Sequence, residues 1–211
     1  MLTLYGARGS GAAAIEAALV VAGVAYRNVE AARWLPGPGL DELKRVNPLG
    51  QIPTLVLEDG SVLSESAAIL IHLGLTQPNE VLLPIAPSER AQAIRGLIFV
   101  ATNCYAAIGI IDYPERWCAD CDETTTKRIR AATRTRLHEL WGIFADSFPP
   151  HPFLSGPRLG ALDLLAAVVS RWSGARPHLA EERPALHEHL VAIDHEPRLA
   201  PLFERHWPPK N

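Results

Sequence analysis

The chain has 211 residues, of which 48% are hydrophobic, and a formal net charge of −3. This length allows a substantial core, and the mixed charges argue against a nucleic-acid-binding or membrane-binding surface. The sequence shows neither a signal peptide nor an apolar run near the roughly 20 residues of a membrane span. Its three cysteines do not form the pattern of a disulfide framework, so we expect a cytoplasmic protein.

The first part of the chain alternates strand and helix patterns. Strands are predicted at 2–5 and 24–29, on either side of an Ala-rich helix at 12–21 that Gly23 ends. Their order predicts a right-handed crossover and a parallel strand pair. A short helix is predicted at 41–45.

The most informative stretch covers residues 47–73, NPLGQIPTLVLEDGSVLSESAAILIHL. It begins with the turn residues Asn-Pro-Leu-Gly, and an Asp-Gly hairpin signal separates predicted strands at 54–57 and 62–63. Ser64 is the predicted N-cap of a following helix. The N-terminal part is therefore predicted to be a thioredoxin-like βαβ–ββα domain.

Two polar residues open that last helix. Helix N-termini bind anions through free N–H groups and the helix dipole. A ligand carboxylate would suit Ser66, and a ligand ammonium would suit Glu65. The pair therefore fits an amino-acid-like group.

This stretch resembles the glutathione-binding half of the glutathione S-transferase family, since two separated motifs agree in order and spacing. The matching residues are Asn47, Pro48, Gly50, Pro53, Leu55, Leu63, Glu65, Ser66, Ala68 and Ile69. The resemblance implies that Pro53 follows a cis peptide bond, that Ile52 pairs with the cysteinyl backbone of glutathione, and that Glu65 and Ser66 hold its γ-glutamyl end. Arg8 and Gln51 are further candidates for glutathione binding. The resemblance also implies a homodimer and a small hydrophobic electrophile as second substrate.

The remainder of the chain is predicted to be helical. A Pro-containing linker at 77–87 separates a thioredoxin-like domain at 1–76 from an all-helical domain at 88–211. The predicted helices of this second domain are 88–111, 124–144, 162–172, 184–193 and 199–206. At the start of the third of these helices, Asp163 is predicted to be a structural helix cap, although Gly160 stands where the family usually has Ser or Thr.

Ser10 is the first candidate for the catalytic hydroxyl, because it lies between the first strand and the first helix. There it can either cap the helix or donate a hydrogen bond to a bound thiolate. Some bacterial family members have Cys at this position, so Ser10 argues against a mixed-disulfide mechanism. Tyr5 is the second candidate, with a core strand aromatic as the alternative. Arg8 is either a partner of the thiolate or of a glutathione carboxylate, or an exposed loop charge.

Four residues near the end of the first long helix could line the electrophile pocket: Asn103, Tyr105, Tyr113 and Trp117. Aromatic residues in helices are more often part of a core, and their placement near glutathione rests on fold analogy.

Two further motifs do not support a site. The Cys118–Cys121 pair lies in the helical part, away from a βαβ unit, and lacks two more zinc ligands. His187 and His189 are two positions apart and do not share a helix face. No metal is predicted.

The sequence thus predicts a glutathione transferase that activates the thiol for attack on an electrophile. Two alternatives are a non-catalytic glutathione-binding relative and a glutathione-dependent disulfide reductase.

Overall fold

The computed structural model describes residues 1–77 and 82–209. Its first part contains a four-stranded sheet and three helices: β1 Leu2–Gly6, α1 Ala12–Ala22, β2 Tyr26–Glu30, α2 Pro38–Val46, β3 Thr54–Val56, β4 Val62–Ser64 and α3 Ser66–Thr76. The strand order is β2-β1-β3-β4, with β2 parallel to β1 and the other neighbours antiparallel. This is the predicted thioredoxin-like arrangement.

The two faces of the sheet carry different layers, because successive side chains of a strand point to opposite faces. Leu4 of β1 belongs to the main core with the Ala-rich helix α1 and with α3. Its neighbour Tyr5 belongs to a smaller cluster with Ala31 and with Leu40 and Leu43 of α2. Tyr5 therefore points away from α1.

The second part is all-helical, as predicted. Its helices are α4 Pro87–Phe99, α5 Ala106–Asp112, α6 Glu123–Ser147, α7 Ala161–Val169, α8 Ala175–Glu182, α9 Pro184–Asp194 and α10 Ala200–His206. A π-helical turn at Val100–Tyr105 joins α4 to α5, and a short 3₁₀ turn at Pro114–Arg116 follows α5. Neither the π-helical turn nor α8 is evident from the sequence. The predicted linker at 77–87 lies partly outside the described residues.

One hydrophobic core joins the two parts. Helix α7 is buried along its whole length and contacts α1 and α3 as well as α4 and α9. The segment Pro87–Asp112 is long and apolar enough to cross a membrane by length and composition. It packs against α6 and α7, so it is a core helix of a soluble protein.

The start of α3 differs from the prediction. Ser64 is the last residue of β4, and Glu65 takes the position before the helix. Glu65 has a φ of 67°, which is strained for a residue with a side chain. No side-chain hydrogen bond from Glu65 caps α3.

The start of α7 explains why Gly160 can replace a hydroxyl residue. Ser155 Oγ accepts the Leu162 N–H at 3.1 Å, and Asp163 accepts the Gly160 N–H at 3.0 Å. A β-carbon on Gly160 would lie 2.7 Å from Ser155 Oγ and 2.6 Å from the Leu82 carbonyl oxygen. Ser155 thus supplies the capping hydroxyl from the preceding loop, and glycine leaves room for it.

Candidate functional site

The loop between β1 and α1 is held by the Ser10 hydroxyl. Ser10 Oγ donates to the Ala7 carbonyl at 2.6 Å and accepts the N–H groups of Ala7 and Ala12, each at 3.3 Å. Its side chain is buried. The hydroxyl therefore organises the loop and the first turn of α1, and its single proton already has an acceptor.

The same loop is tied to α10. Gly9 donates its N–H to His206 Nδ1 at 3.1 Å, and His206 Nε2 lies 3.1 Å from Glu16 Oε1 in α1. Glu16 and the His206 side chain are each only 2% exposed. Helix α10, almost two hundred residues away in the sequence, thus borders the loop where the thiol of glutathione is expected.

Glu16 collects four polar partners. Besides His206, its carboxylate accepts hydrogen bonds from Tyr26 at 3.2 Å and from Asn28 at 3.0 Å, and it pairs with Arg205. Burial would raise the pKa of Glu16, but the hydrogen bond from His206, the charge of Arg205 and the hydrogen bond from Tyr26 hold the pKa below its usual value. The ionised carboxylate therefore fastens α10 to the first domain.

Tyr5 lies on the other side of the sheet. Its hydroxyl donates to Glu42 of α2 at 2.8 Å, and burial together with that carboxylate raises its pKa. This bond and the position of Tyr5 in the α2 cluster direct its hydroxyl away from the N-terminus of α1.

The turn before β3 is fixed by side-chain hydrogen bonds. The Ile52–Pro53 peptide bond is cis, as the resemblance implies. Asn47 Nδ2 donates to Thr54 Oγ1 at 2.8 Å, and that hydroxyl donates to the Gln51 carbonyl at 2.7 Å. The backbone around Ile52 is therefore held in one position.

Glu65 and Ser66 occupy the start of α3 as predicted. The Glu65 side chain is exposed, whereas Ser66 is buried. Glu65 has a strained backbone, since its φ is positive. Strained residues in proteins are often found at ligand-binding sites.

Tyr105 is the one predicted pocket residue that reaches the β1–α1 loop. A β-carbon on Gly11 would lie only 2.3 Å from the Tyr105 hydroxyl oxygen. Burial raises the pKa of Tyr105 to about 12, against a smaller opposing effect of the Gly11 N–H. The negative charges of Asp112 and Glu65 add to the rise. At neutral pH Tyr105 is a protonated hydrogen-bond donor at the N-terminus of α1.

An aromatic wall extends from Tyr105 to the turn after α7 and to the residue that follows α10. The ring centroids of Tyr105 and Trp172 are 5.5 Å apart, and those of Trp172 and Trp207 are 6.5 Å apart. The Arg171 guanidinium lies 4.3 Å from the Trp207 ring centroid. Neither tryptophan was among the predicted site residues.

The other predicted site residues have mixed surroundings. Asn103 Nδ2 donates to the Phe99 carbonyl of its own helix at 3.2 Å. The Arg116 guanidinium carbon lies 3.9 Å from the centroid of the Tyr113 ring. Trp117 is 67% exposed. Arg8 and Gln51 are exposed at the two loops that flank β1 and β3.

The remaining motifs have structural surroundings. Cys118 and Cys121 lie in the loop before α6, and the hydrogen bond to Cys118 is the main reason that the pKa of Cys121 rises to about 11. His189 Nε2 lies 2.8 Å from Asp163 Oδ1. Within residues 1–77 and 82–209, no cluster of three or more potential metal-binding side chains occurs.

Comparison with known proteins identifies the domain at the start of the chain. The family model of the glutathione S-transferase N-terminal domain matches residues 1–74. The uncharacterized GST-like protein YncG of Escherichia coli K12 is 27% identical over 206 residues, which cover 97% of this chain and 98% of YncG. The first part of the chain is thus a glutathione S-transferase N-terminal domain, and the chain as a whole is similar to a GST-like protein.

Further proteins named as glutathione S-transferases are similar to this chain. Glutathione S-transferase GstA of Escherichia coli O157:H7 is 26% identical over 136 residues, covering 64% of this chain and 63% of GstA. A glutathione transferase homologue from Sulfitobacter, solved with bound glutathione, has a TM-score of 0.82 at 21% identity and covers 96% of each chain. A sphingomonad glutathione S-transferase complexed with glutathione has a TM-score of 0.79 at 20% identity, covering 98% of this chain and all of that one. These structures share the two-part fold of the glutathione S-transferase family.

Proposed function

We propose that this protein is a glutathione transferase that activates the thiol of glutathione for attack on a small hydrophobic electrophile. The observation that carries the proposal is the position of the Tyr105 hydroxyl against Gly11, at the N-terminus of α1. A protonated phenol and the N-terminus of a helix each favour the anionic form of a thiol that lies next to both.

The binding part of the proposal places glutathione along the loops of the first domain. Glu65 receives the ammonium group and Ser66 the carboxylate of the γ-glutamyl end. The backbone of Ile52 pairs with the cysteinyl residue, which directs the sulfur toward the β1–α1 loop. Arg8 and Gln51 are exposed and available to the rest of the peptide. Both structural relatives described above were solved with glutathione, which supports this choice of ligand.

The geometry favours Tyr105 over Ser10 and Tyr5 as the residue that donates a hydrogen bond to the thiolate. The Ser10 proton is directed to the Ala7 carbonyl, and the Tyr5 hydroxyl is directed to Glu42. We therefore assign Ser10 to the shape of the loop and Tyr105 to the sulfur. The thiolate then forms a carbon–sulfur bond with the electrophile, and the leaving group departs with its electron pair.

The second substrate would lie between the thiol and the aromatic wall. Tyr105 and Trp172 present apolar ring surface next to the proposed position of the sulfur. A flat, hydrophobic electrophile such as an aryl halide fits this surface because aromatic rings stack favourably.

Steady-state conjugation of glutathione to an aryl halide tests the proposal directly. We expect saturable turnover by the wild-type protein and a loss of kcat in Tyr105→Phe. Binding of glutathione without turnover would make the protein a non-catalytic relative, and reduction of a small disulfide without conjugation would make it a reductase. Either result would overturn the transferase assignment.

We also propose that the protein is a cytoplasmic homodimer. Apolar side chains on three adjoining elements are 41% to 57% exposed: Val62 of β4, Leu75 of α3 and Ile98 of α4. Burying them against a second copy would remove this apolar surface from water. Light scattering at micromolar concentration tests the assembly, and a monomer would contradict it.

A further inference from the structure

His206 connects the β1–α1 loop to a buried carboxylate through both of its ring nitrogens. Nδ1 accepts the Gly9 N–H at 3.1 Å, and Nε2 lies 3.1 Å from Glu16 Oε1. Because Nδ1 is an acceptor, the proton of the neutral ring is on Nε2, which donates to Glu16. The side chain is 2% exposed, so neither bond is shared with bulk water.

Gly9 depends on this contact more than an ordinary loop residue would. Its φ is 68°, and its amide points out of the turn toward α10. The next residue is Ser10, whose hydroxyl fixes both Ala7 and the first turn of α1. A displacement of Gly9 would therefore move the N-terminus of α1 relative to Tyr105.

We propose that His206 is a positioning residue for the thiol site, acting through the Gly9 N–H. The inference rests on the proposed function, since it concerns the site assigned to glutathione. Its role differs from that of Tyr105, because His206 touches the loop and not the sulfur. Glu16 orients the ring from behind, and Arg205, Tyr26 and Asn28 hold Glu16 in place.

Two substitutions distinguish the hydrogen bond of His206 with Gly9 from its hydrogen bond with Glu16. In His206→Asn, the side-chain oxygen takes the place of Nδ1 and can still accept the Gly9 N–H, while the donor to Glu16 is lost. In His206→Gln, the amide nitrogen takes the place of Nε2 and can still donate to Glu16, while the acceptor for Gly9 is lost. A general loss of packing would affect both variants alike.

His189→Asn is the matched control. His189 also contacts a buried carboxylate, with its Nε2 2.8 Å from Asp163 Oδ1, but it lies in α9 of the helical domain and has no contact with Gly9 among the hydrogen bonds of residues 1–77 and 82–209. This control shows how much of any effect comes from losing a histidine–carboxylate pair.

The experiment measures the Kd for glutathione by calorimetry and the exchange rate of the Gly9 amide by NMR. We expect His206→Gln to raise Kd about threefold to tenfold, as for the loss of one hydrogen bond, and to speed Gly9 exchange by a similar factor. His206→Asn and His189→Asn should remain within about twofold of wild type in both quantities, on the scale set by one net hydrogen bond.

Equal effects of His206→Asn and His206→Gln on Kd would overturn the proposal. A Gly9 amide that exchanges no faster in His206→Gln than in wild type would overturn it as well. A wild-type protein that binds no glutathione would instead refute the proposed function. In that case the Gly9 exchange rates would still decide whether His206 holds the loop.

Discussion

The Tyr105 hydroxyl fills the space that a side chain at Gly11 would need, since a β-carbon there would lie 2.3 Å from the phenol oxygen. The backbone of Gly11 has an ordinary helical φ of −61°, so the glycine is required by Tyr105 and not by the turn. The helical domain thereby places a hydrogen-bond donor at the start of α1 in the first domain.

Replacing Tyr105 with Phe should raise the pKa of the glutathione thiol in the complex by about one to two units. A hydrogen bond to a charged group contributes about 1.5–3 kcal/mol, and one pKa unit corresponds to about 1.4 kcal/mol. Thiolate absorbance against pH measures the change. Tyr5→Phe is the control and should leave the titration in place, because its hydroxyl donates to Glu42. If Ser10→Ala moves the titration and Tyr105→Phe does not, the donor is Ser10.

Replacing Glu65 should weaken glutathione binding, and the stability of the variant should depend on whether Ala or Gly replaces it. Glu65→Ala and Glu65→Gly both remove the carboxylate, so each should weaken glutathione binding by about 1.5–3 kcal/mol. Glycine tolerates the φ of 67°, whereas alanine keeps the strain. The free energy of unfolding of the Gly variant should therefore be about 0.5–1 kcal/mol higher than that of the Ala variant. This figure already includes the entropic cost of a glycine in the backbone. Calorimetry and urea denaturation test the two parts, and equal stabilities would contradict the strain argument.

Glu16→Gln should destabilise the protein in a pH-dependent way. The folded-state pKa of Glu16 is lowered, so its ionised form stabilises the fold fully above the ordinary pKa of glutamate, and this stabilisation is lost as pH falls through the folded-state value. At pH 7 we expect a loss of about 3 kcal/mol, the size found when one partner of a buried pair is removed. Urea denaturation at several pH values tests this. The difference between variant and wild type should shrink toward acid, and a constant difference would show that packing alone is involved.

Gly160→Ser should destabilise α7, although the family resemblance leads us to expect Ser or Thr at this position. The added β-carbon would lie 2.6 Å from the Leu82 carbonyl and 2.7 Å from Ser155 Oγ. Overpacking of this kind costs about 1–3 kcal/mol. Ser155→Ala removes the existing cap without a clash and should cost about 1 kcal/mol. Thermal unfolding of the two variants ranks them, and a more stable Gly160→Ser would contradict the geometry.

The fold could be predicted because its signals are local. Gly23 ends α1 with a φ of 66°, a conformation that favours glycine and that its position after an apolar run predicts. Pro114, which follows the end of α5 by two residues, and the Asp-Gly hairpin are equally local signals. The prediction of Ser64 as the N-cap is wrong because β4 extends one residue further than predicted, so that Glu65 precedes the helix.

The site was harder to predict because its contacts are distant in sequence. Glu16 and His206 are 190 positions apart, and no spacing rule joins them. One signal was present: Glu16 is a lone acidic residue in an otherwise apolar, Ala-rich helix, and a buried charge needs a partner. Tyr105 was included in the predicted pocket, but the sequence does not show that a π-helical turn directs it toward Gly11.

The π-helical turn at Val100–Tyr105 also affects how this chain should be aligned with its relatives. Such a turn holds one residue more than an α-helical turn, and each residue advances an α-helix by about 100°. In a relative whose helix continues without the wide turn, the side chain that faces α1 belongs to a neighbouring column of a gapless alignment. Residues equivalent to Tyr105 are therefore found by superposing helices, and a phenol missing from its column is no sign that the hydroxyl has been lost.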